Sequence, residues 1–259
     1  MITHSESKLI RSLSHRKYRE HEKLYVVEGE KMVGELVKGD RVTSSGIQKL
    51  FATADWIEEH DETLRHSQIE VKEATDSELR KVSNLVTPQR VLALVRIPPG
   101  EVSVRELATF SVLGFESIRD PGNLGTIIRT ADWFGIRHII CTPDSVDLYN
   151  PKVVQSTMGS MARVQTSYLD IEGLLKDPAM KDKPVYGTFL TGEDIYQSAL
   201  EKEPLVLFGN ESKGLSPKYD PFLRLRISIP PFPRGQSVPE SLNLASSVAI
   251  ICSEIRRRI

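Results

Sequence analysis

Apolar residues recur along this chain in two rhythms. Short continuous runs of strand length end at Gly, Pro or polar residues, and segments with apolar positions three and four apart lie between them. Ser5 to Ser14 sets Leu9, Ile10 and Leu13 on one side and reads as a helix. Leu24-Tyr25-Val26-Val27 reads as a strand, and after Gly29 the stretch Glu30 to Val37 reads as a helix. Leu50 to Thr53 is a further strand, Ser77 is placed to cap a helix over Glu78 to Ser83, and Val91 to Val95 has the unbroken apolar character of a buried strand. Five more apolar strands follow at Phe110–Gly114, His138–Cys141, Val185–Phe189, Leu205–Gly209 and Leu225–Ile229. Helical segments fall between several of them. That alternation predicts crossover connections, a largely parallel sheet and an α/β fold.

The clearest seam is Arg96-Ile97-Pro98-Pro99-Gly100-Glu101, because a Pro-Pro-Gly run ends regular structure. It places a boundary between residues 97 and 110, with one domain over 1–100 and a second over 107–259. A length of 259 residues suits that division. The 39% hydrophobic and 27% charged fractions describe a soluble globular protein. No apolar run approaches the ~20 residues of a membrane span, and Met1 to Lys8 lacks the apolar stretch of a signal peptide. Cys141 and Cys252 sit far apart in apolar surroundings and read as buried reduced thiols. These features predict a cytoplasmic protein with no membrane, metal or disulfide. The net charge of −1 is not that of a general polyanion binder, but charge is uneven. Lys8, Arg11, Arg16, Lys17 and Arg19 cluster with His15 and Tyr18 and no acid, and the chain ends in Arg256-Arg257-Arg258. Such patches are either phosphate contacts or plain solvated surface.

Three blocks carry candidate chemistry. The first runs from Asp120 to Gly135 as DPGNLGTIIRTADWFG, just after a strand. Asn123 is placed to cap a helix whose apolar face is Leu124, Ile127, Ile128, Ala131 and Phe134, and Gly135 stops it. Arg129 lies about two turns from the helix start. The block is either a capped helix with a surface arginine or an anion site built from free N–H groups and a guanidinium. In the second block, the strand Leu205–Phe208 runs into Gly209, Asn210, Glu211 and Gly214. Ligands of open α/β sheets bind at the carboxyl ends of strands, and Gly209 allows close backbone approach there. The third block is Ile227-Ser228-Ile229-Pro230, a Pro-rich loop over 231–240, then Ser241-Leu242-Asn243 opening an apolar helix. Ser241 is placed to cap that helix. Asn243, polar near the start of a buried helix, must find hydrogen-bond partners.

Taken in this order, Asn123 with Arg129, Asn210-Glu211 with Gly214, and Ser241-Leu242-Asn243 resemble the SpoU (TrmH-type) family of SPOUT RNA methyltransferases over residues 107 to 258. The first hundred residues resemble, less sharply, a small α/β RNA-binding domain similar to certain ribosomal proteins. The resemblance implies an α/β-knot catalytic domain with a deep trefoil knot, S-adenosylmethionine as cofactor, and a homodimer. It implies that Gly209, Asn210, Ile229 and Leu242, with Thr188 and Leu190 after the strand at 185–189, bind the cofactor. It also implies that Asn123, Arg129, Glu211, Ser241 and Asn243 form the catalytic site. The 231–240 loop is longer than is usual in the family, so either the cofactor pocket wall or the dimer contact is expected to differ.

The implied reaction is methyl transfer to a ribose 2′-hydroxyl, in ribosomal RNA rather than transfer RNA. Aligning the two reactants accounts for ~7–11 kcal/mol of barrier reduction, and charge developing on the hydroxyl oxygen needs a nearby cation. A guanidinium keeps its proton in proteins, so Arg129 is expected to hold a phosphate and the developing alkoxide rather than act as a base. The 8–19 cluster is expected to clamp the RNA backbone. Two other readings remain: an ordinary doubly wound methyltransferase, for which Gly122-Asn123-Leu124-Gly125 is a poor glycine loop, and an RNA-binding module of this fold without catalysis.

Overall fold

The computed structural model of the protein describes residues 1–38, 46–67, 69–99, 102–232 and 239–258. Gly100 and Glu101 of the predicted boundary, and 233–238 of the predicted Pro-rich loop, lie outside the described residues. In chain order, the elements up to residue 96 are α1 (His4–Ser12), α2 (Arg16–Glu22), β1 (Leu24–Glu28), α3 (Glu30–Lys38), β2 (Ile47–Ala52), α4 (Ala54–Glu59), α5 (Asp61–Arg65), β3 (Glu70–Glu73), α6 (Asp76–Val82) and β4 (Val91–Arg96). There follow α7 (Val104–Thr109), β5 (Val112–Phe115), α8 (Pro121–Trp133), β6 (His138–Cys141), α9 (Pro151–Thr157), β7 (Gln165–Tyr168), α10 (Ile171–Leu175), β8 (Val185–Asp194), β9 (Leu205–Phe208), β10 (Leu225–Ser228) and α11 (Leu244–Arg257).

The chain divides into two compact units. One is Met1–Pro99 with Asp147–Ala162, and the other is Gly100–Val146 with Arg163–Ile259. The segment over 147–162, which sequence position alone assigns to the second domain, therefore packs with the first unit. There, Val154 of α9 joins the core, Met161 and Ala162 pack against it, and the Tyr149 ring lies 4.6 Å from that of Tyr25.

The first unit holds a four-stranded sheet in the order β1-β4-β2-β3. β4 runs antiparallel to both β1 and β2, and β3 runs parallel to β2. Alternate residues of β1 and β4 feed two cores. Tyr25, Val27, Ala93 and Val95 meet α3 and Trp56 on one face, while Leu24, Val26, Leu92 and Leu94 meet Ile10, Leu79 and Val82 on the other. Burial on both faces explains the unbroken apolar run of these strands. The predicted cap at Ser77 is corrected: Thr75 caps α6, its hydroxyl accepting the Glu78 N–H while the Glu78 carboxylate accepts the Thr75 N–H. This reciprocal pair satisfies two helix-start donors at once, which a serine at 77, already inside the first turn, does not.

The second unit holds a six-stranded sheet in the order β10-β8-β9-β5-β6-β7. Every pairing in it is parallel. Five of the strands coincide with the predicted apolar runs. β7 is missed because Gln165-Thr166-Ser167-Tyr168 is polar, as befits an edge strand with only Ser167 buried. Strand order reverses between β5 and β9: from β5 the sheet grows outward through β6 and β7, and on the other side lie β9, β8 and β10. Loops leaving the carboxyl ends on either side of such a reversal open a crevice where ligands bind.

Candidate active site

β5 ends at Phe115, and the next residues set the geometry of everything after it. Ser117 adopts a left-handed conformation with φ of 54°. Its N–H donates to Thr142 Oγ1 at 2.8 Å, its hydroxyl to Asp144 Oδ2 at 2.6 Å, and its carbonyl accepts Asn210 Nδ2 at 2.8 Å. Thr142 donates in turn to Asp144 Oδ1 at 2.6 Å, and Arg119 to Asp144 Oδ2 at 2.9 Å. The Ser117 and Thr142 hydroxyls, with the Arg119 guanidinium, hold the Asp144 carboxyl below its usual range. The strained turn is thus clamped from the β6 loop and from the β9 loop. Sequence reading missed Ser117, Thr142 and Asp144. The only local signal was a Ser/Thr/Asp set at two strand ends, too common a pattern to stand out.

Asn123 does not cap α8. Asp120 does, accepting the Asn123 N–H at 2.7 Å, with Pro121 in the first turn. The Asn123 side chain is thereby free to face outward. Its Nδ2 donates to Glu211 Oε1 at 3.3 Å, and its Oδ1 accepts Asn243 Nδ2 at 3.1 Å. Glu211 stands at the tip of a closed turn. The turn is made by Asn210 N–H to Gly214 O at 3.1 Å and Gly214 N–H to Asn210 O at 2.8 Å, with Gly214 at φ of 71°. Asn210 Oδ1 also accepts the N–H groups of Ser212 and Lys213. A Cβ on Gly209 would sit 2.0 Å from both Gly214 C and Leu215 N. The close approach at Gly209 is therefore made by the chain's own backbone.

The predicted cap at Ser241 is also corrected. Asn243 caps α11, its Oδ1 accepting the Ala245 and Ser246 N–H groups at 2.9 and 3.3 Å. Ser241 and Asn243 are exposed, not buried, and the Ser241 hydroxyl has no partner among the described residues. The cap sits at 243 because only an oxygen one residue before the first turn reaches those N–H groups. α11 packs on α8 and buries Ala245, Val248, Ile251 and Ile255.

The three blocks thus meet in one hydrogen-bonded chain, Asn243 to Asn123 to Glu211. Arg129 is not in it. It lies six residues along α8, about 9 Å of helix rise from Asn123, exposed and without a partner among the described residues. Thr188 donates to Leu207 O at 3.1 Å, tying β8 to β9. Beyond it the register between β8 and β10 jumps from Gly187↔Arg226 to Glu193↔Ile227, leaving 188–192 out of the β10 ladder, with the Ser228 hydroxyl donating to Gly192 O at 3.1 Å. Leu190 and Leu242 are 67% and 51% exposed, and Ile229 is half-buried. Thr188 and Leu190, expected after a strand at 185–189, lie inside β8, which runs on to Asp194; with the loops after β9 and β10, the exposed leucines at 190 and 242 fit a ligand that is part apolar and part polar.

The basic clusters fare differently. Arg19 is only 3% exposed. Its guanidinium pairs with Asp147 Oδ2 at 2.5 Å and donates to the carbonyls of Leu13 and Ser14. It is a structural residue that fixes the α1–α2 turn, and the expectation that it contacts RNA is withdrawn. Arg16 pairs with Glu20, while Lys8, Arg11 and Lys17 are exposed. At the other terminus, Arg256 donates to the Phe134 and Gly135 carbonyls at the end of α8, and Arg257 and Arg258 pair with Glu254. Among the described residues, no group of three or more His, Cys, Asp or Glu side chains is arranged to hold a metal, and no helix is long and apolar enough to cross a membrane.

Residues 5–93 match the MRM3-like substrate binding domain. The chain is similar to the 23S rRNA (guanosine(2553)-2'-O)-methyltransferase RlmP of Bacillus subtilis, at 28% identity over 95% of this chain and 94% of that protein. It is 30% identical, over 79% of its length and 72% of the relative's, to the 23S rRNA (uridine(2479)-2'-O)-methyltransferase of Streptomyces viridochromogenes. Among solved structures, one of the TrmH family from Porphyromonas gingivalis superimposes with a TM-score of 0.84 at 36% identity, covering 100% of both chains. An AdoMet-bound rRNA methyltransferase from Sinorhizobium meliloti has a TM-score of 0.83 at 26% identity, over 100% of this chain and 97% of that one. With residues 111–253 matching the SpoU rRNA Methylase family, the chain belongs to that family.

Proposed function

We propose that this protein methylates a ribose 2′-hydroxyl of ribosomal RNA with S-adenosylmethionine as donor. One observation carries the reading: three segments far apart in sequence converge through Asn243, Asn123 and Glu211 at the reversal point of a parallel sheet. Two relatives, matched over 95% and 79% of this chain, are named as 2'-O-methyltransferases of 23S rRNA, and a structural neighbour binds AdoMet, which supports the same chemistry.

When bound, S-adenosylmethionine supplies an electrophilic methyl group. Gly209, Asn210, Thr188, Leu190, Ile229 and Leu242 hold it beside β8 and the ends of β9 and β10, the leucines covering its apolar parts. Asn123 orients Glu211 and Asn243, and these fix the acceptor ribose. Arg129, cationic and without a partner among the described residues, holds the adjacent phosphate and stabilises charge developing on the oxygen. Ser241 shapes the loop beside them. The catalytic domain spans 107–259 apart from the 147–162 segment, with its chain threaded in a deep trefoil knot, the substrate domain spans 1–100 together with that segment, and the protein works as a homodimer in the cytoplasm.

The test is direct. Purified protein is incubated with S-adenosylmethionine and deproteinised 23S rRNA, and modified nucleotides are mapped by mass spectrometry. A single 2′-O-methylated nucleotide is expected. Methylation of transfer RNA alone, or of a base, refutes the assignment. Arg129→Lys should lower turnover at least tenfold with thermal stability unchanged, since surface changes usually stay within about 0.5 kcal/mol. Near-normal turnover would remove Arg129 from the site.

A further inference from the structure

The first unit carries a groove of about 570 Å³ that none of the residues above explains. It lies between the β1–α3 turn, the loop joining α6 to β4, and the end of α9. Met32, Val86 and Met158 give it apolar walls, Gln89 and Gln155 bring amides, and Lys31 brings a charge.

Three observations mark it as more than a surface fold. First, the loop that forms one wall is rigidly held. Glu28, buried in β1, accepts hydrogen bonds from the Ser83 hydroxyl, the Asn84 N–H at 2.8 Å and the Asn84 side chain at 3.1 Å. This anchorage presents Val86, 103% exposed, to solvent. Second, the acids of the groove are consumed within it. Glu28 serves the loop, and Glu30 is bound by Arg90 at 2.8 and 2.9 Å. Lys31 is exposed and has no acidic partner among the described residues, so it is the charge the groove offers to a ligand. Third, Met158 closes the far side from a left-handed conformation, φ of 51°, at the end of α9. A non-glycine residue there costs roughly 1–2 kcal/mol, and such strain gathers at functional positions.

We infer that this groove takes an unpaired nucleobase of the RNA substrate, with the neighbouring phosphate against Lys31. The inference rests on the proposed methylation of ribosomal RNA and names where that RNA is read. RNA is recognised mainly through unpaired bases that lie on apolar side chains and expose their edges to hydrogen bonding. Val86 and Met158 supply the apolar contact, the amides of Gln89 and Gln155 pair with base edges, and Lys31 answers the phosphate. The volume lies in the range of small-molecule sites generally, roughly 300–1,000 Å³, which leaves room for one base. Gln155 and Met158 belong to the 147–162 segment, which leaves the second unit to complete the groove. The 8–19 cluster is the weaker reader: Arg19 is buried and Arg16 is paired with Glu20.

The test uses the full chain and deproteinised 23S rRNA, with affinity measured across a salt series. Val86→Asp should weaken binding about tenfold, in line with the loss of one base contact. Gln155→Ala should weaken it several-fold. Lys31→Ala should lower the slope of log affinity against log salt by about 0.7, the value for one phosphate on a single strand. Melting temperature and S-adenosylmethionine affinity should match the wild type in all three, and ultraviolet crosslinks should fall in 83–90 and 151–158. If Val86→Asp melts early, Gln155→Ala and Lys31→Ala, at a half-buried and an exposed side chain, decide the matter. Wild-type affinity and slope in those variants, or crosslinks only elsewhere, overturn the groove while leaving the methylation reading intact. That result would fit a groove that takes a protein segment instead. Failure of the wild-type chain to bind any RNA overturns both.

Discussion

Asn123→Ala separates the role of this asparagine in the site from any role in folding. The side chain makes two hydrogen bonds, to Glu211 at 3.3 Å and from Asn243 at 3.1 Å, in a half-buried position. Each contributes about 1 kcal/mol at most. Alanine recovers roughly 0.6 kcal/mol through its better helix propensity. The net loss is about 1 kcal/mol, or a fall of about 2–4 °C in Tm for a chain of this size. α8 itself should stay intact, because Asp120 caps it. Turnover should respond far more. Without their common partner, Glu211 and Asn243 are free to drift, and a shift of the order of 1 Å at a reacting centre costs about 10²-fold. The assay is initial-rate methyl transfer to 23S rRNA, paired with thermal melts and calorimetry of S-adenosylmethionine binding. Asp120→Ala is the counterpart: loss of a helix cap costs about 1 kcal/mol with the Asn123 bonds still available. Full turnover in Asn123→Ala, or a melt depressed well beyond that of Asp120→Ala, would refute the reasoning.

Three further outcomes follow from the geometry. Gly209→Ala places a Cβ 2.0 Å from two backbone atoms; chemical denaturation should show a loss of about 3 kcal/mol, and a wild-type melt would disprove the crossing. Arg19→Ala strands the Asp147 carboxylate and should cost about 3 kcal/mol without changing the salt dependence of RNA binding; a flattened salt dependence at normal stability would return Arg19 to the RNA-contacting set. The Glu254 carboxyl, held by Arg257 and Arg258, is lowered from an ordinary 4.5 to about 2. Its stabilising contribution is complete above the ordinary value and is lost as pH falls toward the lowered one. Glu254→Gln should therefore show a shallower loss of stability than wild type in urea melts between about pH 4.5 and about pH 2, and identical slopes would exclude the pairing.

The parallel α/β character was legible because buried strands such as Leu205–Phe208 and His138–Cys141 are unbroken apolar runs, and burial acts on each residue locally. β7 was not, since an edge strand with polar residues carries no such mark. The site residues at 123, 211 and 243 were legible as polar positions in turn chemistry, but not their caps. Both Asp120 and Asn123 are good cap residues, and only the fold decides which oxygen faces the free N–H groups.

By itself, the sequence determined the buried apolar strands and the helices that carry the three blocks, that the second half builds a parallel sheet, and which three segments hold the unusual polar residues. Tertiary structure alone decided the strand order that brings those segments together, the burial of Arg19 against Asp147, and the attachment of 147–162 to the first unit. The reason is one of range. Propensity and periodicity act over a few residues and are written in the local sequence, whereas strand neighbours and ion-pair partners more than a hundred residues apart are chosen by how the whole chain packs.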